Sequence, residues 1–300
     1  MLNLEFPNMG KLLWTQKEDI GPTGRVNAGM AYDATRHLVV LFGGVEESGL
    51  LLNDTWVWDG TLWTQSEDIG PSARSNHALA FDSIRERVVL FGGGGATVFG
   101  DTWEWDGTEW TQMADTGPAS RYWHGMTFDS KSKRVVLFGG RTQSTQFGDT
   151  WSWDGTEWTQ EQNTGPSARS GHGLAYDTVR DRVVLFGGLG GGGTITAFLN
   201  DTWEWDGSQW SPVADTGPPP RSNLGMVFDG TRALLFGGGG SKSFFGDTWS
   251  WDGKHWTEIQ DIGPGPRAPA GMVYDSDRNR SVLFGGGAFL GDTWELYEHS

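Results

Sequence analysis

Hydrophobic and polar positions alternate in short runs along most of the chain, and one order of runs returns six times. The clearest copy covers residues 87–112: the apolar stretch RVVLFGG, a short variable loop, then DTWEWDGTEWTQ. Four strands are predicted around it. HALAFD (77–82) alternates in side-chain size, and VVLF (88–91) is continuously apolar, as in a strand buried on both faces. DTWEW (101–105) puts Trp103 and Trp105 on one face by the two-residue period. Asp106-Gly107 then makes a hairpin turn, and WTQ, carrying Trp110, is the fourth strand. Each copy therefore predicts a four-stranded antiparallel meander.

Aligned on the second glycine of each FGG triplet, the copies fall at Gly44, Gly93, Gly140, Gly188, Gly238 and Gly286. A fixed period of about fifty residues marks a repeat architecture, and one such sheet cannot bury both faces alone, so the copies must stack. The ends predict that the stack closes into a ring. LLWTQ at 12–16 matches LWTQ at 62–65, while the last copy stops after its third strand, WELY at 294–297. The N-terminal strand is expected to complete the last sheet and cover its edge. Leu2, Leu4 and Phe6 alternate with polar residues and are expected to add a short strand or tuck against a neighbouring sheet.

Apolar-FGG, then D-T-W-x-W-D-G, then Trp on the next strand, resembles the kelch motif, in six copies over nearly the whole chain. The WD40 family shares Gly-His and Trp-Asp signatures but has a shorter period and no double glycine. The resemblance implies an all-β fold: a six-bladed β-propeller of four-stranded antiparallel blades forming one domain over residues 1–300. Blades are expected at about 25–65, 74–112, 121–160, 169–211, 221–257 and 267–297, with 11–16 completing the last.

Length alone would allow two domains, but six blades in a ring share one body. The net charge of −16 mostly reflects the repeat, because 22 of the 24 aspartates occupy repeat positions. They end strand one, open strand three, sit in the WDG turns or precede the Gly-Pro linkers, where they are expected to bond turn backbones. The acidity and the lack of a basic stripe argue against nucleic acid. No cysteine is present, so disulfides and thiolate metal sites are excluded. No apolar run reaches membrane-spanning length, and residues 1–10 lack the charged and apolar regions of a signal peptide. The compartment stays open, and a monomer is expected.

By strand direction, the FGG–DTW loops and the Gly-Pro linkers emerge on one face, here called upper. The tight turns emerge on the lower. Loops are long in copy one (45–53) and copy four (189–200), which has a glycine run after Leu189. Variable loops above tight turns place binding above.

Six copies also give an internal control: residues common to all serve the architecture, and departures are free to serve a ligand. Seventeen of the 18 tryptophans are at repeat positions; the other is Trp123, next to the equally off-pattern Tyr122. An aromatic pair at the channel mouth suits stacking on a sugar or anchoring a peptide side chain; alternatively it fills a gap between small loops. Their counterparts elsewhere include Asn27, Asn76 and Asn223. Off-pattern cations, Arg141 after FGG and Lys242 in loop five, join the candidates. Arg25, Arg74, Arg121, Arg169, Arg221 and Arg267 start the inner strands. In some kelch proteins, arginine at this place lines the pocket and contacts acidic peptide groups, and six guanidinium groups converging on the mouth suit a carboxylate or sulfate. The other reading pairs each with a repeat aspartate and staples adjacent blades. His77, His124 and His172 share one position on three adjacent blades. Metal binding competes there with packing on the apolar face that also holds Met126 and Phe128, and no metal or cofactor is expected.

Catalytic signatures are missing. Galactose oxidase, of kelch fold, needs a cysteine crosslinked to tyrosine, and kelch-type specifier proteins need E-x-x-x-D-x-x-x-H; neither occurs. The glycine runs lack the lysine and helix of a phosphate loop. The expected function is a non-catalytic binding module for a peptide, protein loop or glycan on the upper face. The alternatives are an enzyme acting on a small sugar or sugar acid, as kelch-fold sialic-acid mutarotases do, or a multivalent lectin with sites between blades.

Overall fold

The computed structural model describes residues 11–17, 20–66, 69–114, 116–161, 164–190, 197–260, 262–269 and 271–299. The expected strand at Leu2, Leu4 and Phe6, the linker aspartates Asp19, Asp68, Asp115 and Asp261, and most of the loop-four glycine run lie outside them. Six antiparallel sheets follow one another along the chain, each a meander from inner to outer strand. Blade three shows the plan: Gly125–Asp129, Arg134–Phe138, Thr150–Trp153 and Trp158–Gln160. No helix occurs among the described residues, so none is long and apolar enough to cross a membrane.

The N-terminal strand Lys11–Lys17 pairs antiparallel with Leu290–His299, setting Trp14 opposite Leu296 and Gln16 opposite Trp294. It is the outer strand of blade six, as the sequence implies. The ring closes chemically as well. Each outer-strand tryptophan donates its Nε1–H to a threonine of the preceding blade: Trp63 to Thr293, Trp110 to Thr55, Trp158 to Thr102, Trp210 to Thr150, Trp256 to Thr202 and Trp14 to Thr248, at 2.8–3.0 Å. The circuit runs through the joint without a gap. Each of these indoles also meets the FGG phenylalanine of the preceding blade edge-on, as Trp14 meets Phe236 at 5.1 Å.

Apolar cores lie between blades. One joins Val39, Leu41 and Trp58 of blade one to Val273, Val282 and Phe284 of blade six. The second tryptophan of each DTWxW is fully buried, and Leu296 takes that place in blade six. The first tryptophan stays half-buried because its indole nitrogen donates to the aspartate two residues earlier, at 2.7 Å in every blade.

In one respect the strands differ from expectation. In blades one and four the long upper loops are continuations of the sheet: Leu38–Val45 pairs with Leu51–Trp58, and Arg182–Gly190 with Ala197–Trp205. The register shifts at the double glycine and then resumes, because extended apolar residues stand opposite one another, Val45 across from Leu51 and Leu189 across from Phe198. In blades two and five glycines occupy those places and only isolated bridges form.

Candidate functional site

The six repeat arginines are the first surprise at the upper mouth. Their side chains are 0–4% exposed. Each backbone bonds the preceding blade while its guanidinium bonds its own. Arg74 N donates to Leu52 O and Arg74 O accepts from Gly44 N, both in blade one. Its Nη1 and Nη2 hold Asp101 of blade two at 2.7 and 2.9 Å, and Nη1 also reaches Gly92 O. Arg25 pairs in the same way with Asp54, Arg121 with Asp149, Arg169 with Asp201, Arg221 with Asp247 and Arg267 with Asp292, all at 2.6–2.7 Å. Phe99, Phe147 and Phe245 cover three of the guanidinium planes. Burial would raise the carboxyls of Asp101, Asp149, Asp201 and Asp247, but the arginine bonds outweigh it and hold all four below the ordinary value. Of the two readings, the guanidinium groups follow the pairing with repeat aspartates: they turn into the blades, bidentate in five and through Nη1 alone in Arg267.

Two residues after five of the six arginines, the chain turns left-handed. Asn27, Asn76, Trp123, Gly171 and Asn223 have φ of 58°, 59°, 57°, 63° and 52°. Asn76 N donates to Asn27 O, Trp123 N to Asn76 O, Gly171 N to Trp123 O and Asn223 N to Gly171 O, at 2.6–2.9 Å. A belt of backbone hydrogen bonds thus runs around the mouth. Proline has no N–H, so Pro269 cannot extend it into blade six. Asparagine and glycine tolerate this conformation; a bulky side chain does not, and Trp123 is a genuine outlier.

Trp123 and Tyr122 pack edge to face, with ring centroids 5.2 Å apart. Tyr122 and Arg141 exchange two backbone hydrogen bonds at 2.9 Å. The guanidinium of Arg141 bonds only the carbonyls of Thr142 and Gln143, and no carboxylate partner accompanies it among the described residues. Three off-pattern residues of distant sequence position are thus one cluster on blade three. Lys242 is not part of it; it lies exposed at the tip of the blade-five loop.

Beneath the belt is a vestibule of 140 Å³ lined by Asn27, Asn76, Trp123, Asn223 and the three histidines, among others. Buried polar atoms normally find partners. Here Asn76 Oδ1, Trp123 Nε1 and both ring nitrogens of His77, His124 and His172 find none. Burial, then the charge of Arg74, pushes His77 down to about 3; burial and Arg169 do the same to His172, again to about 3. His124 is also well below its ordinary value, from burial, Arg121 and the other two histidines. The carbonyls of Phe42, Phe91 and Phe138 oppose these shifts weakly. No three metal-ligating side chains are grouped to share an ion among the described residues. Instead each imidazole packs edge-on against the FGG phenylalanine of the preceding blade, at 5.4–5.5 Å. Glycine below gives them room: a Cβ on Gly125 would lie 2.9 Å from His172 Nε2.

The channel continues downward past Met126, Met226 and Met272 into a chamber of 310 Å³ walled by aromatic residues from all six inner strands. Sequence reasoning missed this chamber. Its aromatics precede the strand-one aspartates in every copy, so the internal control assigned them to architecture; the signal was a ring-forming type at one place six times.

Residues 101–287, more than half of the chain, match the profile of the KLHDC2/KLHL20/DRC7 Kelch-repeats domain. A search of curated proteins finds no match. Kelch propellers generally serve as protein-interaction modules. Six blades of FGG and DTW strands, closed by the N-terminal strand, and the profile match together establish that the chain belongs to the KLHDC2/KLHL20/DRC7 Kelch-repeats domain family.

Proposed function

We propose that the chain is a non-catalytic binding module that holds a peptide or protein loop on its upper face, against blade three. The observation that carries this reading is Trp123. A bulky residue in the left-handed region costs about 1–3 kcal/mol and persists where the surroundings or a function demand it. Three other blades carry asparagine at this place and one carries glycine, so the fold has cheaper solutions. Tyr122 adds a second ring, and Arg141 supplies a cation with no carboxylate partner among the described residues for an acidic group on the ligand. The vestibule beneath, with its unpaired indole nitrogen and asparagine oxygen, suits a polar tip of the bound chain.

The test uses Trp123→Asn, which installs the residue of blades one, two and five. A displayed random-peptide library is selected in parallel on the parent and on this variant. The variant is expected to unfold at higher denaturant, more stable by about 1 kcal/mol or more, and to lose the peptides that the parent enriches. Identical peptides enriched on both proteins would remove Trp123 from the site. A second reading, catalysis on a sugar acid, draws on the histidines held neutral with free nitrogens. It requires the His124→Leu variant to lose turnover of a free sugar acid, measured by NMR of anomer exchange. No exchange by the parent would end it.

A further inference from the structure

The lower chamber offers a different chemistry from the vestibule. Each inner strand ends on an aromatic residue before its aspartate: Tyr32, Phe81, Phe128, Tyr176, Phe228 and Tyr274. These six line the 310 Å³ cavity, which is open to solvent and whose lining also includes Ser83, Thr127, Ser130 and Thr178. Their rings line the space and leave it open. Above them, Met30, Met126, Met226 and Met272 with Leu79 and Leu174 complete the wall.

We propose that this chamber binds an alkylated ammonium cation of the trimethylammonium type. Aromatic rings attract cations through their quadrupoles, and the effect grows when water is excluded. The wall is mostly thioether, alkyl and aromatic, and its side-chain hydroxyls, Ser83, Thr127, Ser130 and Thr178, carry no charge to pair with an ammonium N–H. A primary ammonium would enter with unpaired donors, at high cost; a quaternary one has none to pair. The rim is acidic where the repeat does not require it. Asp181 and Asp277 are the two aspartates outside the repeat positions, and both are at this end. Asp277 accepts the hydroxyl hydrogen of Tyr32, and Asp181 that of Tyr176 at 3.2 Å. Both carboxylates stay about two-fifths exposed, at 42% and 43%. Five cations of the lower turns, Arg36, Arg85, Arg180, Arg232 and Arg278, hold the aspartates of their own turns, Arg87 and Arg182 bond main-chain carbonyls, and His37 lies 2.9 Å from Asp277. Lys131, more than half exposed, leans toward Asp181 at 3.6 Å. An anion would meet rings and carboxylates, and a volume of this size falls at the lower end of small-ligand sites.

The experiment titrates methionine-methyl-labelled protein with choline and, separately, with 3,3-dimethylbutan-1-ol, its uncharged isostere. Choline is expected to shift the methyl signals of Met30, Met126, Met226 and Met272 and to leave that of Met113, on an outer strand, in place. The isostere should bind at least about five-fold more weakly, and Phe128→Leu or Phe228→Leu, each checked by its melt, should weaken choline by a similar factor. A trimethyllysine peptide in the same titration separates the sources: tighter binding than choline assigns the guest to a protein side chain, weaker binding to a free small molecule. Trp123→Asn should leave choline binding unchanged, which keeps this site distinct from the upper one. Equal affinity for choline and its isostere, or channel methionines that choline does not move, would overturn the proposal.

Discussion

The two ends of one channel are built on opposite plans. The upper mouth is a belt of backbone in the left-handed region, filled by residues that differ from blade to blade and underlain by buried polar atoms without partners. The lower mouth is an aromatic ring that changes only between Tyr and Phe, and its tyrosine hydroxyls bond Asp277, Asp181 and Asn279. Both ends carry an arginine–aspartate pair in nearly every blade. Above, the guanidinium is buried within its own blade and only the arginine backbone reaches the preceding one; below, it is 20–31% exposed, and Arg36 and Arg278 also reach main-chain carbonyls of the next blade. Repetition at the lower end and variation at the upper end mean that symmetry builds one mouth, while departures from symmetry equip the other.

The strongest way to break this comparison is Arg121→Ala. The change strips Asp149 of a bidentate partner and frees the Gly139 carbonyl inside blade three, while the backbone bonds of residue 121 to blade two remain. Removing one partner of a buried pair costs about 3–5 kcal/mol, so chemical denaturation should show a loss of that size. A loss below about 1 kcal/mol, the range of exposed pairs, would show that the buried upper pair contributes no more than the exposed lower ones.

The next effect is in pH. His77 and His172 stay neutral in the native protein down to about pH 3, whereas the unfolded chain protonates them near 6.5. Below 6.5 the unfolded state therefore binds more protons, and stability falls as acid is added. Each histidine should cost about 2 kcal/mol at pH 5 relative to pH 7. The depressed carboxylates of Asp101 and Asp201 add a loss of the same sign, but only below about pH 4. At the lower end burial, followed by bonds to Asp277 and Asp275, raises the hydroxyl of Tyr32, and burial with Asp129 raises that of Tyr176. The native state there keeps protons that the unfolded chain releases above about pH 10. Stability should fall again in base. The double variant His77→Leu/His172→Leu, using the residue that blade five has at Leu224, should flatten the acid limb of a melting-temperature profile and leave the basic limb. An acid limb that survives would locate the lost protons elsewhere.

Much of the architecture was legible because six copies state it six times. The closing strand could be read from LLWTQ at 12–16, since the last copy lacked its own. The tryptophans could be sorted by strand from their spacing. What symmetry hides is partner choice. Six identical arginines announce a common role, and pairing with a repeat aspartate was one reading, but sequence does not say which of the four aspartate positions receives Arg74. Tyr122, Trp123 and Arg141 stood out as departures, yet their union came from the bridge that pairs Tyr122 with Arg141 across the blade. The strain at Trp123 is a backbone torsion, invisible until Asn27, Asn76 and Asn223 are seen to share it. Strand ends were misplaced in blades one and four for a related reason: a long segment between FGG and DTW reads as loop unless opposing side chains are known to meet.

The smallest effect sharpens the comparison most. Arg36 bonds Asp33 at 2.7 Å, much as Arg121 bonds Asp149. Yet Arg36 is 27% exposed, and Asp33 keeps other partners, since its Oδ1 accepts the backbone N–H groups of Thr35 and Arg36. Losing the guanidinium leaves a capped turn, not a stranded charge. Arg36→Ala should therefore cost no more than about 1 kcal/mol, and added salt should erase part of the difference from the parent. Measured beside Arg121→Ala in the same denaturant series, Arg36→Ala contrasts a part-exposed guanidinium held by one carboxylate oxygen with a buried one held by two. A loss from Arg36→Ala that rivalled the upper arginine would mean the lower turns also bind blade to blade, through the contact Arg36 makes with Glu86 O of blade two at 3.3 Å.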